Sequence, residues 1–379
     1  MGFGEQHHIF RDAVRRFVRE EIVPNVDAWE AAGEIPRSLF RQMGELGFFG
    51  IEYSQQYGGS DADFYMSVVL AEELARCRAG GVTFSVIVHT DMSSPWLAQI
   101  GDEQQKARYL PGIISGETVC ALAITEPGAG SDMAGVQTRA VRDGDDWVIT
   151  GNKTFTTNGV YGDLYFVAAR TSDEDARHRG ISQFLLERKT PGITVSKKLD
   201  KTGMLSSDTA ELSFDGVRVP AANLLGKEGR GFQQLAAGLQ RERLMVAVMS
   251  VSAAQQALED TATYLQGREA FGRPLSALQG LQHKIADMAT RIEAARGLTY
   301  NAVDLFAAGK ECAKEVSMAK LFASEMAVQV GYDAVQLHGG YGYMRETPVE
   351  RFARDYRVWT IAAGSSEIMR DIIARRVVD

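Results

Sequence analysis

Glu242 is a carboxylate on an otherwise apolar helical stripe. Apolar residues recur at spacings of three and four along this segment, and Glu242 lies three residues after Leu239 and four before Val246. Desolvation on such a face raises the pKa of a carboxylic acid toward the range of a general base. The sequence therefore makes Glu242 a candidate for removing a weakly acidic proton. An ion pair with Arg241 or Arg243 is the structural alternative, and periodicity leaves it open.

A second candidate site is the run T-E-P-G-A-G-S-D at residues 125–132. Gly128 and Gly130 allow the backbone to approach a flat ring or a diphosphate closely, while Thr125 and Ser131 offer hydroxyl donors. A tight loop after a buried strand is the plain structural interpretation of the same composition.

Other chemistries lack the residues they need. The six histidines include no HExxH motif and no pair at ligand spacing, so we expect no catalytic metal. Gly128, Gly130 and Gly135 do not fit G-x-G-x-x-G, and neither a phosphate-binding G-x-x-x-x-G-K-[ST] loop nor a G-x-S-x-G elbow is present.

Bulk properties limit the kind of protein. The chain has 379 residues and a formal net charge of −8, with 45% hydrophobic residues and no block of lysine or arginine. This composition predicts a multidomain globular protein that binds neither nucleic acid nor membrane. Cys77, Cys120 and Cys312 are isolated, which is typical of reduced thiols. No export signal is evident, so we expect a soluble, cytoplasmic protein.

The elements that position these candidates follow the order helices, strands, helices. Helical spacing ends near Cys120, short β-type runs follow, and the helical period returns in three long segments at about 231–268, 276–308 and 312–337. Strands between two helical blocks predict an α+β, mainly α fold. Asp215-Gly216, between two alternating runs, predicts a hairpin turn.

The run at 125–132 and the segment G-N-K-T-F-T-T-N-G at 151–159 together resemble two motifs of the acyl-CoA dehydrogenases. The family has an aromatic residue that stacks beside the isoalloxazine and a threonine near its N5 edge, and Phe155 and Thr157 match these positions. Phe155 replaces a commoner tryptophan. The resemblance covers nearly the whole chain and implies a three-domain fold: a helical domain at 1–118, a central β domain at 119–228, and a C-terminal four-helix bundle at 229–379.

The same resemblance implies that FAD is the cofactor. The segment around Arg268 looks like the family's R-x-x-F-G turn, which reaches the FAD of a neighbouring subunit, and the glycine pair after His338 matches another such contact. His338 itself is interpreted as a structural residue. The implied FAD-binding residues are Leu122, Ala123, Thr125, Gly130, Ser131, Phe155, Thr157, Arg268, Phe271, Leu278, Gln279, Gln336, Leu337, Gly339, Gly340, Ser365, Ser366 and Glu367.

The base does not stand where many family members have it. They carry a carboxylate before a Gly-Thr pair near the C-terminus, and the matching residue here is Ala363. The run Arg241-Glu242-Arg243-Leu244 resembles the E-R-L of the long-chain and isovaleryl branches, which carry their base there. The resemblance therefore implies FAD-dependent α,β-dehydrogenation of an acyl-CoA thioester to the trans-2-enoyl-CoA, with Glu242 as α-proton base and hydride transfer to flavin N5.

Further roles are implied by the same family. The main-chain N–H of Ala363 and a flavin ribityl hydroxyl would donate to the thioester oxygen, and Ser366 also fits the N-cap of the last helix. Ligands from a partner subunit imply a homo-oligomer, usually a tetramer in this family. The family also implies electron-transfer flavoprotein as the electron acceptor. An acyl carrier-protein thioester, a flavin oxygenase on this fold and a non-catalytic relative stay open as alternatives. The implied substrate-binding residues are Ser131, Gln240, Arg243, Ala363, Gly364 and Arg375.

Overall fold

A central β-sheet lies between two helical blocks in the computed structural model of this chain, which describes residues 2–172 and 179–378. The α+β, mainly α class expected from the sequence is confirmed. Three buried clusters form the core: one joins the two helical blocks, and the other two pack on the sheet.

The first helical block surrounds a buried helix, Phe64–Ala75, and ends beside the sheet. Asp63 caps that buried helix by accepting the N–H of Met66, and Asp102 forms a capping box with Gln105 at the start of the last helix. The helix that begins at Gly80 passes through a π-helical turn, Val88–Ser93, so its register changes. The helices are α1 (Glu5–Phe17), α2 (Val26–Ala32), α3 (Arg37–Glu45), α4 (Phe64–Ala75), α5 (Gly80–Ile87), α6 (Ser94–Ile100) and α7 (Glu103–Ile114).

The sheet is mostly antiparallel and twists around an apolar face. Its strands are β1 (Cys120–Ala123), β2 (Arg139–Asp143), β3 (Asp146–Thr157), β4 (Leu164–Arg170), β5 (Ile181–Glu187), β6 (Ile193–Lys198), β7 (Thr209–Pro220) and β8 (Leu224–Leu225). Their order is β6-β7-β3-β2-β4-β5-β8, and β1 pairs parallel with β4. The parallel β1 delivers the loop at 125–132 to the edge next to β3.

The hairpin predicted at Asp215-Gly216 is wrong, because β7 runs straight through both residues. The pairing of β3 with β7 shifts register here: Ile149 faces Val217, and Gly151 faces Phe214. Gly216 takes a φ of +58°, and its N–H lies 3.3 Å from the Thr150 hydroxyl. The extra residue is therefore accommodated as a bulge, for which the same Asp-Gly pair is suited.

The second helical block is built on three long helices: α8 (Gly231–Gly267), α9 (Gln279–Ala307) and α10 (Ala313–His338). They pack on one another, and the short α11 (Pro348–Tyr356) and terminal α12 (Ser366–Val378) pack on α10. Two short strands, β9 (Glu269–Ala270) and β10 (Arg273–Pro274), form a hairpin between α8 and α9. We keep 1–118, 119–228 and 229–379 as the proposed domain limits.

No helix among the described residues is both long and apolar enough to cross a membrane. No three histidine, cysteine, aspartate or glutamate side chains among residues 2–172 and 179–378 come together as a metal site would require.

Candidate active site

Glu242 is buried on α8 without a partner. Its side chain belongs to a residue that is 5% exposed, and its Oε1 has no hydrogen-bond partner within the described structure. Burial raises the pKa of Glu242 to about 8, and the nearby charge of Arg243 opposes that rise. The pKa of the carboxylate is thus close to the pH range in which a general base works.

The ion pair that could have explained Glu242 is formed elsewhere. Arg241 donates to Glu52 and Asp91, with Nη2 at 2.6 Å from an oxygen of each. Asp91 lies in the π-helical turn and is buried, and Glu52 also accepts the hydroxyl of Ser67 at 2.6 Å. Arg241 is therefore occupied by the N-terminal helices, and the structural alternative for Glu242 loses one of its two partners.

The other neighbour, Arg243, turns to the C-terminal segment. Its Nε donates to the carbonyl oxygen of Ala363 at 3.2 Å. This bond brings the turn of α8 that carries Glu242 beside Ala363, the position where the related enzymes carry their acid. The N–H of Ala363 makes no hydrogen bond within the described part of the chain, so a donor is left free at this place.

The loop at 125–132 is tied to β3 by a buried ion pair. The Nζ of Lys153 donates to Glu126 at 2.7 Å and to the carbonyl of Ile124 at 2.9 Å, while Glu126 also accepts the N–H groups of Gln137 and Thr138. The Thr154 N–H bonds to the Thr125 carbonyl at 2.9 Å. The two motifs that the sequence paired are thus joined directly.

The end of β3 presents an exposed aromatic ring. Phe155 is 69% exposed and has a φ of +55°, a strained value for a side chain of this size. Thr157 is buried, and Asn158 beyond it bonds to Ser85 on α5 and to the carbonyl of Cys120. The strand end is therefore held by the helical block while Phe155 faces outward.

Residues 359–367 contact both α5 and α8. Trp359 packs edge-on against Phe84 of α5, with ring centroids 4.8 Å apart. The expectation that Ser366 caps α12 is wrong, because the Ser365 side chain accepts the Ile368 N–H at 3.4 Å. The Ser366 hydroxyl is buried without a partner, and Glu367 is exposed at the helix start.

The remaining predicted FAD-binding residues lie at the opposite end of the bundle. The ring of Tyr264 stacks on His338 at 4.3 Å, which joins the end of α8 to the end of α10. His338 also donates to the carbonyl of Ala334, as befits a structural residue. This distal group consists of Arg268, Phe271, Leu278, Gln279, Gln336, Leu337, Gly339 and Gly340, of which all but Leu278 and Leu337 are exposed.

The distance between the two groups follows from α8. Gly267 lies 25 residues after Glu242 on one unbroken helix, which corresponds to about 37 Å at 1.5 Å per residue. Phe271, at the tip of the β9–β10 hairpin, is 90% exposed with a φ of +54°. The distal group is thus far along α8 from Glu242, whereas the Arg243–Ala363 bond places the segment before Ser365 beside the turn that carries Glu242.

The residues near Glu242 fit a flat cofactor with a diphosphate. A Cβ on Gly128 or Gly130 would meet no atom within 4 Å, so the loop has open space along its backbone. The partnerless Ser366 hydroxyl and the exposed ring of Phe155 supply a donor and a stacking surface. Leu122 and Ala123 lie at the end of β1 just before the loop.

The predicted substrate-binding residues are spread along a longer surface. Gln240 is half-buried and accepts a weak bond from the thiol of Cys312, while Arg375 is exposed near the end of α12. Ser131 is exposed on the loop. Gly364 has a φ of +94°, next to Ala363.

One charged residue beside this site was missed from the sequence. Lys320 on α10 is fully buried, and its Nζ donates to the Gly364 carbonyl at 2.5 Å. Its position four residues after Val316 and three before Ala323 is the same kind of signal that identified Glu242.

Comparison with known proteins identifies the family of this chain. Three acyl-CoA dehydrogenase family models match: the N-terminal domain over residues 4–117, the middle domain over 121–217 and the C-terminal domain over 229–378. An acyl-CoA dehydrogenase of Bacillus subtilis is 44% identical over 98% of this chain and 97% of its own length. The long-chain specific acyl-CoA dehydrogenase of Sus scrofa mitochondria is 42% identical over 99% of this chain and 87% of its own.

A solved structure shows the same fold. The crystal structure of an acyl-CoA dehydrogenase from Geobacillus kaustophilus is 45% identical, with a TM-score of 0.96, and covers 100% of this chain and 99% of that one. Matches of this extent leave no part of the architecture unaccounted for. The chain belongs to the acyl-CoA dehydrogenase family.

Proposed function

We propose that Glu242 is the α-proton base with which this FAD-dependent acyl-CoA dehydrogenase converts an acyl-CoA thioester to the trans-2-enoyl-CoA. The observation that carries the proposal is a buried carboxylate whose Oε1 has no hydrogen-bond partner among the described residues, next in sequence to the arginine that bonds to Ala363. Burial keeps its pKa high, so the carboxylate gains by accepting a proton.

The chain supplies binding, orientation and proton transfer. FAD, when bound, accepts at flavin N5 the hydride that leaves the β carbon. The Glu242 carboxylate takes the α proton, and the electron pair of that C–H bond becomes the new double bond. The free N–H of Ala363 would donate to the thioester oxygen, where negative charge develops. Phe155 would stack beside the flavin, with Thr157 near its edge.

Anaerobic titration with a panel of acyl-CoAs tests this proposal. Loss of the flavin absorbance should follow addition of a suitable chain length, and Glu242→Gln should slow it by about 10²–10⁴-fold with unchanged FAD content. Glu72→Gln is the matched control, since Glu72 is also buried but pairs with Arg11. Bleaching of the Glu242→Gln protein at the parent rate would rule out the base.

We also propose that FAD lies between subunits. The distal group lies about 37 Å along α8 from Glu242. That is farther than one FAD extends, so the two groups would serve different FAD molecules. A homo-oligomer, with a tetramer expected from the family, would bring the distal group of one copy to the FAD of another.

Electron-transfer flavoprotein is the proposed acceptor, by resemblance to the family. A cytoplasmic location is part of the same proposal, and it is supported by three cysteines that are buried and free. Steady reduction of electron-transfer flavoprotein in the presence of acyl-CoA tests the acceptor. Rapid oxidation of the reduced protein by O₂ would instead favour the oxygenase alternative.

A further inference from the structure

Lys320 is a buried cation that forms no ion pair with a carboxylate of the described residues. It is 0% exposed, and within the described residues no aspartate or glutamate oxygen lies within 4.0 Å of its Nζ. Its hydrogen bond goes to the carbonyl oxygen of Gly364. A lysine in such a place is unfavourable for folding unless its charge or its donor is used.

The second cation at this place is Arg243. Its Nε bonds to the carbonyl of Ala363, one residue before the carbonyl that Lys320 holds. Burial, followed by the charge of Arg243, lowers the pKa of Lys320 to about 8, against the opposing charges of Glu325 and Glu367. Two cations that repel each other are therefore kept together on consecutive peptide groups.

The backbone between these cations is strained. Ala363 has a φ of +54° and Gly364 a φ of +94°, and the first value is disfavoured for an alanine because of its Cβ. A Cβ on Gly364 would come within 2.8 Å of the Met369 side chain. Holding both carbonyl oxygens fixes the dihedrals of this pair and with them the direction of the Ala363 N–H.

We propose that Lys320 is a positioning residue for the dehydrogenation. Together with Arg243 it holds Ala363-Gly364 so that the Ala363 N–H points at the thioester oxygen, and its charge stabilises the enolate that forms as Glu242 removes the α proton. This inference rests on the proposed function. It gives a reason for a lysine at this site, since a preorganised dipole and charge act most strongly where water is excluded.

The direct test is Lys320→Met, which keeps an unbranched, mainly apolar stem out to the ε position and removes the charge and the donor. FAD content and affinity for an enoyl-CoA should stay near the parent values, whereas the rate of flavin bleaching should fall by roughly 10–100-fold. A bound 3-oxoacyl-CoA, whose α proton is acidic, reports the same effect at equilibrium. The long-wavelength absorbance of its enolate beside oxidised flavin measures the ionisation constant of the bound ligand. That constant should fall about tenfold.

Lys201→Met is the matched control. Lys201 is also largely buried, its pKa is also lowered by burial to about 8, and its Nζ also bonds to a main-chain carbonyl, that of Ser207, at 2.5 Å. It lies in the segment between β6 and β7 and makes no contact with Ala363-Gly364. Its loss should leave the bleaching rate and the enolate absorbance unchanged.

Lys320→Gln is the second variant if the methionine protein does not fold. Its amide is one bond too short to reach Gly364 but remains polar. The inference would be overturned if the parent bleaches and either Lys320 variant, loaded with FAD, bleaches and ionises the 3-oxoacyl-CoA like the parent. That result would leave the proposed function intact. A parent that does not bleach with any acyl-CoA would instead refute the proposed function.

Discussion

Arg241 donates from Nε and Nη2 to one carboxylate oxygen of Asp91, at 3.0 and 2.6 Å. Glu52 accepts from Nη1 of the same guanidinium at 3.2 Å and from its Nη2 at 2.6 Å. The residue next to the base is thus neutralised by two carboxylates of the N-terminal helical block. Glu242 keeps a raised pKa although arginines flank it on both sides in sequence.

Asp91→Asn should therefore change the pH dependence of catalysis. A base acts when ionised, so bleaching should rise with pH through the pKa of Glu242, about 8 in the parent. With Asp91 neutral, the positive charge of Arg241 is less compensated and adds to that of Arg243, so the profile should move roughly one unit lower. Stopped-flow bleaching between pH 6 and 9 measures the shift. An unmoved profile in a folded variant would contradict this electrostatic role.

Removing the carboxylate should make the protein more stable. The folded parent holds a proton on Glu242 that the unfolded chain releases near its ordinary pKa, so the free energy of unfolding falls as pH rises from about 4.5 to about 8. The glutamine of Glu242→Gln does not titrate, so the variant avoids this fall in the free energy of unfolding. It should be more stable by up to roughly 3 kcal/mol at pH 7. Thermal midpoints of apo-protein at pH 5 and pH 8 check this: the gap should widen at the higher pH, and a constant gap would disagree.

Lys153 should be needed to hold the flavin loop. Lys153→Met leaves Glu126 buried without its counter-ion, and breaking such a pair typically costs about 3–5 kcal/mol. FAD affinity should fall with it, because Glu126 also orders Gln137 and Thr138. Replacing both residues, as Lys153→Met with Glu126→Gln, should recover part of the stability. Flavin content after gel filtration and the thermal midpoint are the measurements, and full retention of FAD by the single variant would refute the role.

Phe271 should be required for assembly and for cofactor retention together. An apolar ring that is 90% exposed at a hairpin tip would gain from burial against another subunit. Phe271→Asp should reduce the oligomer and release FAD in parallel, as measured by light scattering and absorbance. Ile9→Asp, at an exposed site on α1, is the control and should do neither. A monomer of the Phe271 variant that still holds FAD would contradict the proposal.

Much of the architecture could be predicted because long periodic segments leave few alternatives. The segment predicted at 231–268 exceeds α8 by one residue, and Glu242 is buried as its stripe implied. The Asp215-Gly216 turn failed because bulges and hairpins use the same residues, and only pairing with β3 decides between them. The apolar stripe around Lys320 could have pointed to a buried lysine, but its acceptor, the carbonyl of Gly364, lies on a distant part of the chain and could not be predicted.

The length of α8 has a consequence for mixed assemblies. If one helix carries the base of its own site near one end and reaches the partner's flavin at the other, every site is built from two chains. A Glu242→Gln subunit and an Arg268→Ala subunit would each be inactive alone, yet their hybrid would contain one site with both defects and one site with neither. Co-expression of two dead proteins would then restore activity, so the functional unit of this enzyme would be the pair of helices rather than the single chain.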